Sequence, residues 1–515
     1  MYNYIYTQYM FFKLDSFALI GIDAVKVTIE VHLSRGLPGL YIVGLPGKAI
    51  NEARQRVRSA ILNSGFEFPV KKTIINLSPA DMRKEGSLYD LPIALAILAA
   101  SGQISPDCFN DSCFIGELSL DGNINPVRGL ISMVEKAVDL RKKYFFVPAI
   151  NAEQTSFFKE IDIIACANLK ETIEIIDGGN PSGNACRKTC PDISGNNSHE
   201  IDLSEVKGQF KAKRAIELAA VGMHNILLIG PPGSGKTMLA KRIVSIMPGL
   251  DLEQCIEITK IQSLCNEPVN GIITKRPFKN PHHTISRAGL IGGGMYPRPG
   301  DISLAHRGIL FLDELSQFPS HLVEDLRQPL ENREVIVTRN QMSYCFPSNF
   351  MLVLATNPCH CGFWGDNENS CRCTEREIKR FWRNLSGPIM DRIDIRVFVS
   401  RLKEENYINT ELGENSRKIR ERVGKAAAFQ GNNSKGRKIK YNSEADAGLI
   451  NEWLAGDERL RKTAFMVGKK FKLSARGISS IIKVSRSIAD LEGSKNIKEE
   501  HVLEAAGYRA IKAYG

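Results

Sequence analysis

Apolar and polar positions change their rhythm three times along the chain. In residues 1–178, strand-like runs such as VKVTIEVHL (25–33) and KTIINLS (72–78) are interspersed with the helix-like runs AINEARQRVRSAILNSG (49–65) and DLPIALAILAASG (90–102). Residues 179–200, GNPSGNACRKTCPDISGNNSHE, are rich in Gly, Pro, Ser and Asn and read as a linker. Between 201 and 400 the apolar runs are short and continuous: HNILLI (224–229), ILFL (309–312) and MLVLATN (351–357). Continuous runs of this length fit strands of a parallel sheet buried on both faces. Beyond 401, EADAGLINEWLA and KEEHVLEAAGYRAI have helical spacing. The pattern predicts an α/β chain with a first domain over 1–178, a linker over 179–200, an α/β core over 201–400 and a helical domain over 401–515.

The first of the short runs leads directly into Gly230-Pro231-Pro232-Gly233-Ser234-Gly235-Lys236-Thr237 and then the helix-like TMLAKRIVSIM. Strand, glycine-rich loop and helix are the setting a phosphate-binding loop requires. The glycines let backbone N–H groups surround a phosphate, Lys236 reaches the β- and γ-phosphates, and Thr237 holds Mg²⁺. The cofactors expected are therefore ATP and Mg²⁺.

The other runs end in complementary groups. Asp313 and Glu314 close ILFL, at the carboxyl end of a strand where open α/β sheets bind ligands. Asp313 is expected to coordinate Mg²⁺ and Glu314 to polarise the attacking water. Asn357 closes MLVLATN and is placed to orient that water, a strand cap being the alternative. Arg392, in SGPIMDRIDIRV (386–397), is a candidate to reach a neighbouring subunit's γ-phosphate. Arg476 in LSAR (473–476) is a further candidate phosphate ligand, with Arg486 on the same predicted helix as its competitor.

A second constellation follows Asn357. In NPCHCGFWGDNENSCRCTE, Cys359, Cys361, Cys371 and Cys373 form two C-x-C pairs nine residues apart. Four thiolates arranged this way suit a structural zinc ion, with packed reduced thiols or an iron–sulfur cluster as alternatives. His282 and His283 are adjacent. On an extended strand their side chains would point to opposite faces, against a shared metal.

Charge narrows the choice of partners. The 515 residues carry a formal net charge of +11, and residues 401–515 alone hold 24 Lys and Arg against 15 Asp and Glu. SKGRKIK (434–440) is the densest basic stretch and reads as an exposed loop. This favours a polyanion without choosing among DNA, RNA and an acidic protein. The chain has no apolar run of about 18 residues and no signal-peptide pattern. Twelve cysteines in so long a chain do not make a secreted disulfide framework. The expectation is a cytoplasmic protein without a membrane partner.

The order of these motifs resembles the AAA+ layout. NPHHTISRAGLIGGGMYPRPGDISLAHRGILFLDEL (280–315), LRQPLENREVIVTR (326–339) and SGPIMDRIDI sharpen that likeness. They closely resemble the magnesium-chelatase-like AAA+ ATPases of the YifB/ComM group. The resemblance covers nearly the whole chain from about Leu14. It implies a Lon-protease-like α+β first domain, a P-loop AAA+ core and a C-terminal helical lid. PADMRKEGSLYDLPIALAILAASGQI (79–104) and GELSLDGNINPVRGL (116–130) carry the Lon-like part. Asp90 and Ile131 stand near the places where active Lon-type proteases carry Ser and Lys, so proteolysis lacks its nucleophile and its base.

The resemblance further implies a homo-oligomer, a hexameric ring. Its substrate would be DNA, as for ComM-like helicases of branch migration in natural transformation, with recombination proteins as partners. EVIVTRNQMSYCF (334–346) would form a substrate-gripping hairpin with Arg339 as a DNA contact, or an ordinary surface hairpin. GLIGGGMYPRPG (289–300) would supply Arg298 to a second pore loop. A metal-chelatase motor subunit and a protein-remodelling ATPase are the competing readings.

Overall fold

The computed structural model describes residues 10–509 except 83, 85, 107–108, 179–180, 187–200, 266–270, 295–296, 340–341, 367, 385–386, 402–412 and 434–438. Most of the predicted linker and of SKGRKIK therefore lies outside the described residues. The chain forms two compact units: Met1–Asp192 with Leu252–Thr274, and Ile193–Asp251 with Lys275–Gly515.

The first unit is built on a seven-stranded mixed sheet. Its order is Gly39–Val43, Lys72–Ser78, Asp23–Ser34, Phe11–Ile20, Ser112–Phe114, Tyr144–Pro148 and Asp162–Cys166. Phe11–Ile20 and Asp23–Ser34 form a hairpin that turns at Gly21, whose φ of 65° suits a tight two-residue connection. Lys72–Ser78 adds antiparallel to it, and the remaining pairings are parallel. The helix Asp90–Ala100 is buried along its whole length, as its apolar circumference requires.

Two departures from the linear domain reading appear here. Residues 181–186 belong with this unit: Ala185 bridges Ile164, and the Cys186 N–H donates to Ile163 at 2.8 Å. The helix Leu252–Gln262, drawn from the middle of the predicted core, also packs here, with Lys260 Nζ 2.6 Å from Glu135 Oε2 on the helix Leu130–Asp139.

The second unit carries a five-stranded, all-parallel sheet in the order Phe278–Lys279, Ile309–Leu312, Met351–Thr356, Ile226–Ile229 and Ile395–Phe398. Every residue of the three central strands is buried, the condition their continuous apolar runs announce. The C-terminal helices share that core. Ile226, Val353 and Ile395 of the strands belong to one apolar cluster with Ile482, Ile488 and Val502 of the helices Ala475–Leu491 and Glu499–Gly507. Among the described residues no helix is long and apolar enough to cross a membrane.

Candidate nucleotide-binding site

Parallel strands place their carboxyl ends along one edge of the sheet, and the predicted site assembles there. Ile226–Ile229 opens into the loop 230–235, and the helix Lys236–Ile246 begins at once. Gly233 and Gly235 have φ of 75° and 90°, which residues with a Cβ rarely adopt. A Cβ at Gly230 would come within 2.2 Å of the Val399 carbonyl oxygen. Lys236 Nζ donates to the carbonyls of Gly230 and Pro231 at 2.7 and 2.9 Å, and to Asn357 Oδ1 at 3.3 Å. Burial pushes the Lys236 pKa down, while Asp313 and Glu314 pull it back up.

Thr237 Oγ1 donates to Asp313 Oδ2 at 2.6 Å. Asp313 is half-buried, whereas Glu314 is exposed and left-handed, with φ of 50°. A left-handed residue of this kind carries backbone strain and often marks a working site. The fold thus brings Lys236, Thr237, Asp313 and Asn357 together from three neighbouring strand ends, with Glu314 next in sequence to Asp313.

The two candidate arginines meet elsewhere in the same unit. Arg392 is buried and Arg476 exposed, and both pair with Glu331, Arg476 Nη2 at 2.8 Å. Hydrogen bonding from Arg476 holds the Glu331 carboxyl below its ordinary range, burial opposing and Arg392 assisting. The surrounding pocket of about 140 Å³ is also lined by Arg333, Asp391 and Lys483. Arg486, the competitor of Arg476, is fully occupied in the interior: its guanidinium binds Asp490 Oδ1 at 2.9 Å and the carbonyls of Ser494 and Lys495.

The four cysteines also converge. Cys359 Sγ is 3.3 Å from Cys361 Sγ and 3.7 Å from Cys371 Sγ, and Cys361 and Cys371 are 3.5 Å apart. All four sulfurs lie within 4.8 Å of one another, a cluster compatible with zinc. Burial raises the Cys361 pKa, but the backbone N–H groups of Phe363 and Arg372, together with the neighbouring Cys359 and Cys371 thiols, outweigh it, and the thiol is pulled down to about 6.

The family model for the magnesium chelatase subunit ChlI matches residues 202–407, that for the ChlI subunit residues 29–151, and that for the ChlI C-terminal region residues 413–509. The competence protein ComM of Haemophilus influenzae is 39% identical over 508 residues, covering 96% of both chains. The chain belongs to the magnesium chelatase ChlI-like family. YifB of Escherichia coli is likewise 39% identical, over 500 residues and 96% of both chains. The magnesium-chelatase 38 kDa subunit of Cereibacter sphaeroides is 25% identical over 174 residues, 30% of this chain and 52% of that one. Within this family the second unit is an AAA-type ATPase core with a parallel sheet and a C-terminal helical region, and the first contains the ChlI domain.

In the ChlI domain, Asp90 is an ion-pair partner. Its carboxylate is 1% exposed and takes Arg56 in a two-pronged contact of 2.7 and 3.2 Å. Ile131 is buried in the core. Arg298 and Arg339 are both exposed, Arg339 at the end of the hairpin Glu334–Arg339/Met342–Pro347. The rings of His282 and His283 do not face apart as an extended strand would place them. They lie in a turn with centroids 4.0 Å apart.

Two residues of this ATPase core escaped the sequence reading. Glu331, which joins the two arginines, lies within LRQPLENREVIVTR (326–339), but nothing in that stretch marks its pairing with them. Arg401 donates from Nη2 to the Pro232 carbonyl at 3.0 Å, beside the phosphate loop. Its position just past the strand Ile395–Phe398 was the available signal.

Proposed function

We propose that this chain is an ATP-driven ring motor, hexameric in its working form, that acts on branched DNA. The observation that carries the ATPase part is the convergence of Lys236, Thr237, Asp313 and Asn357 at adjacent carboxyl ends of one parallel sheet. Gly230–Thr237 cradles the phosphates of ATP. Thr237 and Asp313 hold Mg²⁺, Glu314 activates water and Asn357 aligns it. Arg392 and Arg476, gathered on Glu331, act together on the γ-phosphate of a neighbouring subunit's ATP. The Cys359–Cys373 loop carries a structural zinc ion.

The DNA part rests on three supports. One relative matched over 96% of its length is a competence protein, the C-terminal segment is basic, and Arg298 and Arg339 are exposed. The decisive experiment measures ATP hydrolysis with and without four-way-junction DNA at low and moderate salt, with Glu314→Gln as the control. Junction DNA should raise the rate, and added salt should weaken the effect, because phosphate contacts release counterions. A rate indifferent to every DNA, but raised by an unfolded protein or by a porphyrin–protein partner, would replace DNA with that substrate.

A further inference from the structure

The four-cysteine loop touches the nucleotide site in two places. Cys359 follows Asn357 by two residues, and the intervening Pro358 has its carbonyl fixed by Trp382 Nε1 at 3.1 Å. Farther along the loop, Gly362 is buried at φ 85° against the phosphate loop, so tightly that a Cβ there would come within 2.9 Å of Pro232 Cδ. One end of the loop thus continues from the residue that contacts Lys236. A point between its two cysteine pairs rests on the loop that precedes Lys236.

The sulfur geometry says what holds this loop together. A tetrahedral zinc ion with Zn–S bonds near 2.3 Å sets its sulfurs about 3.8 Å apart. The separations among Cys359, Cys361 and Cys371, 3.3, 3.5 and 3.7 Å, approach that edge, and Cys373 completes a set within 4.8 Å. They are far longer than a disulfide, which needs about 2.05 Å. They are too short for a four-iron cluster, whose cysteines must stand around a cube of iron and sulfide. A mononuclear metal accepts four sulfurs this close together.

We propose that zinc bound by Cys359, Cys361, Cys371 and Cys373 is the positioning element for Asn357: the metal clamps the loop, the loop fixes Asn357 against Lys236, and zinc occupancy thereby sets the rate of ATP hydrolysis. The inference rests on the ATPase reading given above. Binding requires all four thiols as thiolates, their protons passing to solvent. Without the metal the segment between the cysteine pairs loses its main cross-link, and Asn357 is then held by the end of its strand, the Trp382 contact on Pro358 and Lys236, without the loop beyond. The amide that aligns water becomes loose while the cradle of glycines and Lys236 is left standing. Zinc therefore acts on turnover more than on nucleotide affinity.

The test uses the full-length protein, purified reduced and without chelator. Elemental analysis should give one zinc per chain, and cobalt(II) substitution should give the visible spectrum of a tetrahedral tetrathiolate. Cys371→Ser/Cys373→Ser should lose the metal, and kcat should fall by about 10- to 100-fold, the usual scale for groups that orient a site from outside it. The Kd for a fluorescent ATP analogue should stay within about threefold, since cradle contacts persist. Chelator-stripped wild-type protein should regain kcat when zinc is returned. In Asn357→Ala, stripping zinc should cost little further, because both changes remove one function.

Protein that contains no zinc and takes up none on reconstitution overturns the metal site. Zinc that can be stripped without changing kcat, or whose loss is fully additive with Asn357→Ala, overturns the positioning role. Loss of nucleotide binding together with cooperative unfolding does so as well, and assigns the metal to folding alone. Zinc-loaded protein that neither binds nor hydrolyses ATP brings down the ATPase reading and the rate-setting role with it, while the zinc stoichiometry stands separately.

Discussion

Thr237 Oγ1 lies 2.6 Å from Asp313 Oδ2, joining the first turn of one helix to the end of a strand 76 residues away in sequence. In the proposed ATPase, a hydroxyl and a carboxylate this close would be the residues that hold Mg²⁺ beside the phosphates of ATP. Glu314 follows, exposed and held in a strained left-handed conformation that directs the backbone away from the strand. Glu314→Gln should therefore bind ATP normally and lower kcat by about 10²- to 10⁴-fold, the range expected for removing a general base. Asp313→Ala should abolish Mg²⁺-dependent hydrolysis and weaken binding of ATP with Mg²⁺ more than binding of ATP alone. Steady-state kinetics combined with nucleotide titration in the presence and absence of Mg²⁺ separates the two roles.

The meeting of Arg392 and Arg476 on Glu331 makes a different prediction. If the pair completes the site of a neighbouring subunit, Arg392→Ala should lower kcat by about 10³-fold or more, as loss of an arginine finger does, with little change in nucleotide affinity. Arg476→Ala should act in the same direction. Mixing subunits distinguishes neighbour action from action at home. Arg392→Ala chains and Glu314→Gln chains, each inactive alone, should regain hydrolysis when co-assembled, because some junctions then combine an intact Glu314 with an intact Arg392. Failure to recover activity in verified mixed assemblies would return both arginines to their own subunit.

The nucleotide loop and its companions were legible because their signals are local. Four apolar residues followed by Gly230–Thr237, or by Asp313 and Glu314, define a strand and what stands at its end without reference to the rest of the chain. Glu331 was not legible: it lies 61 residues from Arg392 and 145 from Arg476, and only the packing of the helices on the sheet brings the three together. The same limit hid the helix Leu252–Gln262, whose sequence suits a helix in either unit and whose place is decided by partners such as Glu135. Arg476 and Arg486 looked equivalent as helical arginines. Burial separates them, since Arg486 is tied to Asp490 in the interior while Arg476 stays exposed. The histidine pair was misjudged because a turn at 282–285 replaced the extended backbone that the alternation argument assumes.

Asp90 gives the ChlI domain a pH signature. Burial raises its pKa to about 6, outweighing the Arg56 contact that pulls the other way. The same contact raises the Arg56 pKa, because Arg56 is less buried than its partner. The folded state therefore holds the Asp90 proton more tightly than the unfolded chain, whose carboxyl titrates near 3.8. Stability from this group is present at low pH and is lost as pH rises from about 4 to about 6, by roughly 3 kcal/mol. Asp90→Asn should flatten that part of the stability profile. Arg56→Ala, which leaves a buried carboxylate without its cation, should cost about 3–5 kcal/mol at neutral pH. Denaturation of the three proteins at pH 4, 6 and 7.5, followed by a probe placed in the ChlI domain, measures both effects.

Arg401 stands against the phosphate loop. Its Nη2 holds the Pro232 carbonyl at 3.0 Å, and a Cβ built on Gly233 would lie 3.6 Å from the same nitrogen. The side chain is only partly buried, so its remaining N–H groups can turn toward an anion bound in the loop. A hydrogen bond from a charged group contributes about 1.5–3 kcal/mol, so Arg401→Ala should weaken ATP and ADP binding by about 10- to 100-fold. The value of kcat at saturating ATP should change little, because the contact is made equally in ground and transition states. Arg401→Lys should recover part of the affinity, keeping the charge but not the planar fork. If Arg401 only braces Pro232, both variants will bind nucleotide as wild type does and differ only in thermal stability. Titration with a fluorescent nucleotide alongside thermal denaturation decides between a ligand contact and a loop brace.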